Sequence, residues 1–286
     1  MGDPYTNPDA QPEPAIQAMM TRLEERGRHS GFQQMICSYV QTLPKDRPLT
    51  VLDLGCGTGV VTRQLLSALH SSSELHGGDV SAELLKEAIR LSPNSRIKWD
   101  HLSSGALPYA DETFDVITMH TLLSHVPDPL SILTESRRVL KSDGRLIIFD
   151  ADHAGTTYSQ SDYQSTRRMD YLLTSSIATH PDICRQLPRL LKASGFHLSS
   201  HHAEVISECC KGDYWLSSVH GFARLIPTLG AVSLDEGEAW VKHMLNAHEE
   251  GTFFAAGAFY TFQARPLDQT QQAEQADAGN RRSAGA

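Results

Sequence analysis

The sequence predicts a doubly wound α/β fold, in which parallel strands form one central sheet and helices cover both of its faces. Two observations support this class. Short apolar, β-prone runs alternate with amphipathic segments through the first half of the 286-residue chain, an order typical of parallel sheets joined by right-handed crossovers. The first of these runs also ends in a glycine-rich turn that leads into an amphipathic segment over residues 60–70. Ligands of such folds bind at the carboxyl ends of the strands.

The elements of the first half follow in a regular order. Helical periodicity predicts two leading helices, one starting near residue 15 and one over residues 31–42. Five core strands are then expected, at residues 50–54, 74–78, 97–101, 114–119 and 145–149. The segments between these strands have a helical pattern, and Ser81 is placed to cap the one at residues 82–91.

The pattern changes after Asp150, because no strand signal follows until about Phe196. The intervening segment predicts an inserted helical cap over residues 151–195. Gly195 fits the position just past the last helix of this cap, where a left-handed backbone is common. The remaining predicted elements are two helices and a β-rich run, at residues 214–229, 234–248 and 252–264.

We expect a single domain over residues 15–266, since a chain of this length suffices for one large α/β domain with an added cap. The leading helices are expected at residues 15–45 and the cofactor-binding core at residues 50–150. The helical cap is expected to consist of two segments, residues 151–195 and 211–250. Four prolines predict an extended or disordered segment at residues 1–14. Residues 267–286, rich in Gln, Ala, Gly and Arg, predict a disordered tail.

Composition narrows the class of protein and its partners. The formal net charge is -9, and basic residues cluster only in short pairs such as Arg137–Arg138, so a nucleic-acid partner is not supported. No apolar run approaches the roughly 18 residues of a membrane span, and the N-terminal residues lack the features of a secretion signal. Five cysteines, with Cys209 and Cys210 adjacent, favour free thiols in a reducing compartment. We therefore expect a cytoplasmic protein, whose oligomeric state the sequence does not indicate.

The turn after the first strand, in T-V-L-D-L-G-C-G-T-G at residues 50–59, is the most informative stretch. The dinucleotide fingerprint is G-x-G-x-x-G, so Gly59 is misplaced for a pyrophosphate cradle. Gly55 and Gly57 lack Cβ and can let a ligand touch the main chain. Asp79 ends the second predicted strand, twenty residues after Gly59, where a carboxylate can accept both hydroxyls of a ribose. Together these units indicate an adenosine-type ligand.

Four ordered motifs carry a resemblance to a known family. They are V-L-D-L-G-C-G-T-G with H-G-G-D-V-S-A-E-L-L-K-E-A, L-P-Y-A-D-E-T-F-D-V-I-T, L-L-S-H-V-P-D-P and R-V-L-K-S-D-G-R-L-I-I-F-D, across about a hundred residues. The chain resembles the class I S-adenosylmethionine-dependent methyltransferases, in the small-molecule branch of the ubiquinone and menaquinone biosynthesis enzymes (methyltransferase type 11). The resemblance implies S-adenosyl-L-methionine as methyl donor, a small-molecule acceptor, and a Rossmann-like, mostly parallel seven-stranded sheet with an antiparallel last strand. It also implies leading helices that close over the cofactor.

The same resemblance implies which residues hold the cofactor. They are Asp53, Gly55, Gly57, Asp79, Ser103 and the backbone of His120. One position departs from the family pattern, since the acidic residue that usually ends the third strand and contacts the adenine amine falls at Ser103. Asp100 lies three residues earlier, and a bulge could bring it into place. A serine can accept one hydrogen bond, so adenine recognition need not be lost.

Methyl transfer requires in-line geometry and, for a hydroxyl, thiol or protonated amine, a base. Histidine suits that role at neutral pH, and His120, His125 and His153 follow the ends of predicted strands. Two of them also have another interpretation. His120 could simply offer its backbone to the cofactor, and His125 could be a hydrogen-bonding residue before the helix capped by Asp128. His153 is the most open to substrate in this topology.

Other side chains have both functional and structural interpretations. Five aromatic residues could line a substrate pocket, contact a sulfonium by cation–π attraction, or form the core of the cap: Tyr158, Tyr163, Tyr214, Trp215 and Phe222. His201–His202 and Cys209–Cys210 suggest metal ligands, but adjacent residues of a strand face opposite ways, and we expect no metal site.

Two further hypotheses stand beside methyl transfer. One is that S-adenosylmethionine is bound without transfer, its positive charge assisting a cyclisation or rearrangement. The other is a non-enzymatic subunit that keeps the fold to support a partner. Accumulation of S-adenosylhomocysteine distinguishes the first alternative from a methyltransferase.

Overall fold

The computed structural model describes residues 3–93, 95–103, 105–160, 162–229 and 232–267. Within these residues the strands are β1 (Thr50–Leu54), β2 (Glu74–Asp79), β3 (Ile97–His101), β4 (Phe114–His120), β5 (Leu140–Ala151), β6 (Thr157–Tyr158), β7 (Phe196–Cys210) and β8 (Phe253–Pro266). The α-helices are α1 (Glu13–Arg28), α2 (Ser30–Val40), α3 (Val60–Ala68), α4 (Ala82–Leu91), α5 (Pro129–Val139), α6 (Tyr163–Ile177), α7 (Ile183–Ala193), α8 (Tyr214–Leu229) and α9 (Leu234–Glu250). The predicted tail, residues 267–286, lies outside the described residues except for Leu267.

All described strands join one sheet, in which β3, β2, β1, β4, β5 and β8 lie side by side in that order. The two-residue β6 and the long β7 also pair with β8. Strands β1 to β5 pair in parallel, and β8 runs antiparallel to β5, β6 and β7. The predicted doubly wound, mostly parallel sheet with an antiparallel last strand is confirmed. The described sheet has eight strands rather than seven, because the two-residue β6 adds a short pairing at Ala255–Ala256.

The apolar core strands bury side chains on both sides, as a sheet covered by helices requires. On β1, Val51 and Leu52 point into two different apolar clusters, and β5 repeats this alternation at Ile147 and Ile148. Helices α2, α3, α6, α8 and α9 contribute to the first cluster, and α5 and α7 to the second. The carboxyl ends of β1, β2 and β4 therefore open at one edge of a rigid sheet.

Local sequence signals explain where the core helices begin and end. Ser81 caps α4 by accepting a hydrogen bond from the backbone N–H of Leu84, and Asp128 caps α5 ahead of Pro129 in the same way. Gly195 takes a left-handed backbone, with φ of 81°, after α7. These three predicted termini are confirmed.

Two segments differ from what the sequence led us to expect. Residues 4–10 form two short 3₁₀ helices, Pro4–Thr6 and Pro8–Ala10, because each proline supplies the fixed φ of a first helical turn. The hydroxyl of Thr6 donates to the carbonyl of His125 at 2.8 Å. Helix α7 falls inside the range predicted as cap, but it packs Leu187 into the sheet cluster. No described helix is both long and apolar enough to cross a membrane.

Candidate active site

The glycine turn between β1 and α3 has the backbone that its glycines predict. Gly55 and Gly57 have φ of 73° and 53°, values that residues with a Cβ rarely adopt. The N–H groups of Gly55 and Cys56 donate to the carbonyl of Gly78 at 2.8 and 3.1 Å, which ties the turn to the neighbouring strand β2. A Cβ on Gly55 would lie 2.6 Å from Leu122. The absence of a Cβ on Gly55 thus lets Leu122 pack against the turn, and both Gly55 and Gly57 line a cavity.

Gly59, unlike Gly55 and Gly57, is not among the residues that line the cavity. Its φ is 79°, and a Cβ there would lie 2.6 Å from the Trp99 ring. The third glycine of the motif therefore allows α3 to start against β3, and it serves packing rather than a pyrophosphate.

A cavity of about 970 Å³ extends from this turn, at the upper end of the range for small-molecule sites. Its walls come from the glycine turn, the ends of β2 and β4, the N-terminal segment, α1 and α8. Asp53, Asp79 and Ser103 line one part, and Tyr214 and Phe222 line another. One continuous space thus joins the turn to an aromatic chamber.

Asp79 is buried at the tip of β2, beside the turn. Its Oδ2 accepts from the N–H of Gly57 at 2.7 Å, and its Oδ1 accepts from the N–H of Ser81 at 2.9 Å. Burial raises the pKa of this carboxyl, and the backbone N–H groups oppose that shift. A carboxylate has about four acceptor positions, so acceptor capacity remains for ligand hydroxyls.

Asp53 is buried at the end of β1. Its two oxygens accept from the hydroxyls of Thr62 at 2.6 Å and Thr118 at 2.8 Å. Burial raises the pKa of Asp53 to about 6, and the two hydroxyls oppose the shift. The carboxyl group is therefore poised to ionise near neutrality, and a positive ligand would favour its charged form.

The two candidates for adenine recognition are separated by the fold. Ser103 lines the cavity. Asp100 is not among the lining residues, and its Oδ2 instead contacts Nδ1 of His76 at 2.6 Å and accepts from the Tyr109 hydroxyl at 2.8 Å. Asp100 is thus engaged in a side-chain network outside the cavity.

Of the three candidate histidines, two are already engaged through Nδ1. His120 contacts the Tyr39 hydroxyl at 3.0 Å and stacks on Phe149 with centroids 4.3 Å apart. Burial lowers its pKa well below the ordinary value, and Arg26 adds to the shift. His125 lies 2.7 Å from a carboxylate oxygen of Asp3. Both line the cavity, but their Nδ1 atoms already have protein partners.

His153 has a buried ring nitrogen, Nε2, without a hydrogen-bond partner among the described residues. The residue lines the cavity. Burial, followed by the positive fields of His125 and Arg26, lowers its pKa to about 3. The imidazole is therefore neutral over the physiological range, and its ring centroid lies 6.1 Å from that of His125.

The predicted aromatic residues divide into wall and surface. Tyr158, Tyr214, Trp215 and Phe222 line the cavity. Tyr163 is 78% exposed at the start of α6, so it contributes nothing to the chamber.

Sequence reasoning missed two arginines of α1 that also line the cavity, Arg22 and Arg26. Arg22 donates to the hydroxyls of Ser217 and Ser218. Arg26 donates to the hydroxyl of Thr121 at 2.8 Å, and Thr121 itself has a left-handed φ of 51° at the end of β4. The sequence did contain a signal for them. Arg22 and Arg26 are four residues apart, so they share one face of a helix that was expected to close over the cofactor.

Comparisons with known proteins agree with this geometry. The methyltransferase domain family (Methyltransf_11) matches residues 52–148. The ubiquinone/menaquinone biosynthesis C-methyltransferase UbiE of Desulfotalea psychrophila is 31% identical over 181 residues, 63% of this chain and 70% of that protein. An uncharacterized 37.1 kDa protein in a transposon of Streptomyces fradiae is 29% identical over 76% of this chain. The chain spans 62% of the length of that relative.

Solved structures share the fold at lower identity. A protein from Bacillus halodurans C-125 superimposes with a TM-score of 0.59 at 16% identity, covering 82% of this chain and all of that one. The cyclase SpnF superimposes with a TM-score of 0.55 at 18% identity, covering 85% of each chain.

The sheet order, the glycine turn and the acidic residue at the tip of β2 define a nucleoside-binding α/β fold of the methyltransferase type. With the relatives above, the chain belongs to the class I S-adenosylmethionine-dependent methyltransferases, a family whose methyl donor is S-adenosylmethionine.

Proposed function

We propose that this chain transfers the methyl group of S-adenosylmethionine to a small organic acceptor. The observation that carries the proposal is the continuity of the cavity between the glycine turn and the aromatic chamber at Tyr214 and Phe222. A donor on the turn and an acceptor in the chamber would share one enclosed space, as a direct transfer requires.

The donor would lie along the turn and the tips of β1 and β2. We assign the ribose to Asp79, the methionine portion to the main chain at Gly55 and Gly57, and the adenine edge to Ser103. Asp53 would place a carboxylate near the positive end of the donor, and His120 would contribute its backbone. The buried position of Asp53 and Asp79 supports this assignment, because the donor is a cation.

S-adenosylmethionine supplies an electrophilic methyl group and a neutral leaving group. The chain then has to hold the acceptor in line, exclude water and accept a proton where the acceptor carries one. We assign the role of proton acceptor to Nε2 of His153, a buried ring atom without a hydrogen-bond partner among the described residues, on a residue that lines the cavity. Proton transfer to this imidazole as the sulfonium is neutralised leaves the charge of the site unchanged, which offsets the burial that disfavours imidazolium.

The experiment is a screen of small acceptors with isotopically labelled donor, read by mass shift, fragment position and S-adenosylhomocysteine. We expect one methyl group added per S-adenosylhomocysteine formed. The replacement His153→Gln should lower turnover about 100-fold or more for an acceptor that loses a proton, with donor affinity unchanged. Rearrangement of an acceptor without S-adenosylhomocysteine would instead establish the donor-assisted cyclisation. If neither reaction occurs and Asp79→Ala leaves donor binding intact, the non-enzymatic alternative stands.

We further propose an acceptor from secondary or cofactor metabolism and action in the cytoplasm. The names of the relatives, which are quinone methyltransferases, support the first point. All five cysteines are free in the structure, which suits a reducing compartment. The formal charge of -9 supports a small molecule rather than a nucleic acid as partner.

A further inference from the structure

Helix α1 directs two guanidinium groups, those of Arg22 and Arg26, to the same cavity. Arg22 lies 5.2 Å from the centroid of the Tyr214 ring, and its Nη1 and Nη2 donate to Ser217 and Ser218 at 2.5 and 2.6 Å. Arg26 lies 5.5 Å from the centroid of Phe32. The cavity therefore has two positive charges on the wall formed by α1.

Neither arginine forms an ion pair with a carboxylate among the described residues, since their contacts are hydroxyl groups and aromatic faces. Of the two acidic residues between them, Glu24 pairs with Arg63 at 2.8 Å and Glu25 is exposed. Like charges at i, i+4 on a helix repel each other, and partly buried charges are normally paired. The two guanidinium groups thus face the cavity without a carboxylate partner of their own among the described residues.

We propose that Arg22 and Arg26 bind an oxyanion of the acceptor, so that the substrate class is an apolar or aromatic acid. This inference rests on the proposed function, in which the chamber holds the acceptor. A guanidinium presents several N–H donors in a planar fork that suits a carboxylate, and Tyr214, Trp215 and Phe222 offer flat apolar surface beside it. The present partners of the two arginines are neutral hydroxyl groups. A substrate carboxylate could replace them without leaving any protein charge unpaired.

The donor is a second source of the same chemistry, because its methionine portion ends in a carboxylate. Arg26 contacts Thr121 at the end of β4, next to the expected donor. Arg22 contacts α8, on the side of the aromatic chamber. The test must therefore separate the two carboxylates.

The probes are two fluorescent compounds of nearly equal shape, 1-anilinonaphthalene-8-sulfonate and the uncharged N-phenyl-1-naphthylamine, each titrated into full-length protein saturated with S-adenosylhomocysteine. We expect the sulfonate to bind at least fivefold more tightly than the neutral amine. Arg22→Gln and Arg26→Gln should each remove most of that preference. The exposed Arg28 on the same helix provides the control, and Arg28→Gln should keep the preference.

A preference below fivefold in the wild type, or one that persists in the Arg22→Gln/Arg26→Gln double variant, overturns the proposal. So does a fivefold loss of S-adenosylhomocysteine affinity in Arg26→Gln, measured by calorimetry, because Arg26 then serves the donor carboxylate. Phenylglyoxal labelling of the wild type covers the case of a misfolded variant. The sulfonate, but not the amine, should protect Arg22 and Arg26 from modification, and equal labelling with both probes contradicts the proposal.

These results are separable from failure of the proposed function. Absence of S-adenosylhomocysteine formation with any acceptor refutes methyl transfer, while the two probes still report on the arginines. Conversely, methylation of neutral acceptors with no preference for their acidic analogues leaves methyl transfer intact and removes the oxyanion site.

Discussion

The Oδ2 atom of Asp79 accepts a 2.7 Å hydrogen bond from the backbone N–H of Gly57. This bond joins the tip of β2 to the turn after β1, so the two parts of the expected donor site hold each other in place. Because Ser81 donates to the other oxygen, the carboxylate is oriented before any ligand arrives. Such preorganisation reduces the ordering cost of binding.

Replacing Asp79 by Asn should weaken S-adenosylmethionine binding about 10- to 100-fold, the range expected for losing hydrogen bonds to a charged group. Asn retains one acceptor oxygen for the backbone, so the turn should fold. Calorimetric titration with S-adenosylhomocysteine measures the change. Asp46→Asn, in an exposed loop, is the control and should bind as the wild type does. Equal affinity in both variants would remove Asp79 from the donor site.

The pKa of Asp53, raised by burial to about 6, predicts that donor affinity depends on pH. Below pH 6 the carboxyl is largely protonated in the empty site, and binding of a cationic donor must first release that proton. Affinity should therefore rise about tenfold between pH 5 and pH 7. In Asp53→Asn the same titration should be flat, and a flat profile in the wild type would show that Asp53 does not sense the donor.

The positions of the core strands and the backbone of the glycine turn could be predicted because they depend on local signals. Glycines at 55 and 57 and a carboxylate at 79 leave little choice of backbone or partner. The position of Asp100 outside the cavity could not be predicted, since it depends on the side-chain network that engages Asp100 with His76 and Tyr109.

The aromatic chamber was less predictable because it does not depend on a local signal. Its walls come from segments far apart in sequence, such as Arg22 on α1 and Tyr214 on α8. No local pattern encodes which face of α1 meets α8. The N-terminal segment shows the same limit, because its prolines predicted an extended chain whereas contacts with α4 and His125 determine its place.

Asp9 links the N-terminal segment to the start of α4, beside the proposed donor site. Its carboxylate contacts the Ser81 hydroxyl and accepts from the N–H of Ala82 at 2.8 Å, at the start of α4 and next to Asp79. A carboxylate in such a capping position contributes about 1 kcal/mol. Asp9→Ala should therefore release the segment and speed dissociation of S-adenosylhomocysteine about fivefold in stopped-flow measurements. Glu13→Gln, an exposed change nearby, should leave the rate constant unaltered, and unchanged dissociation in Asp9→Ala would show that the segment does not retain the ligand.

The buried imidazole of His153 predicts a loss of stability in acid. Its pKa in the folded protein is about 3, against an ordinary value of 6.5, so the unfolded chain binds one proton more than the folded chain between these values. The contribution of His153 is therefore fully present above pH 6.5 and falls as the pH decreases, by up to about 1.4 kcal/mol per pH unit. Asp53, whose pKa is raised, acts in the opposite direction, because its contribution to stability increases as the pH falls between about pH 6 and 4.

The experiment measures the free energy of unfolding in urea for the wild type and for His153→Gln at pH 4.5 to 6.5. The difference between the two proteins is the informative quantity, because contributions common to both, such as that of Asp53, cancel. We expect the free energy of unfolding of the variant to fall less steeply with decreasing pH. Parallel curves would mean that His153 titrates in the folded protein as it does in the unfolded chain, so that burial does not keep its imidazole neutral in acid.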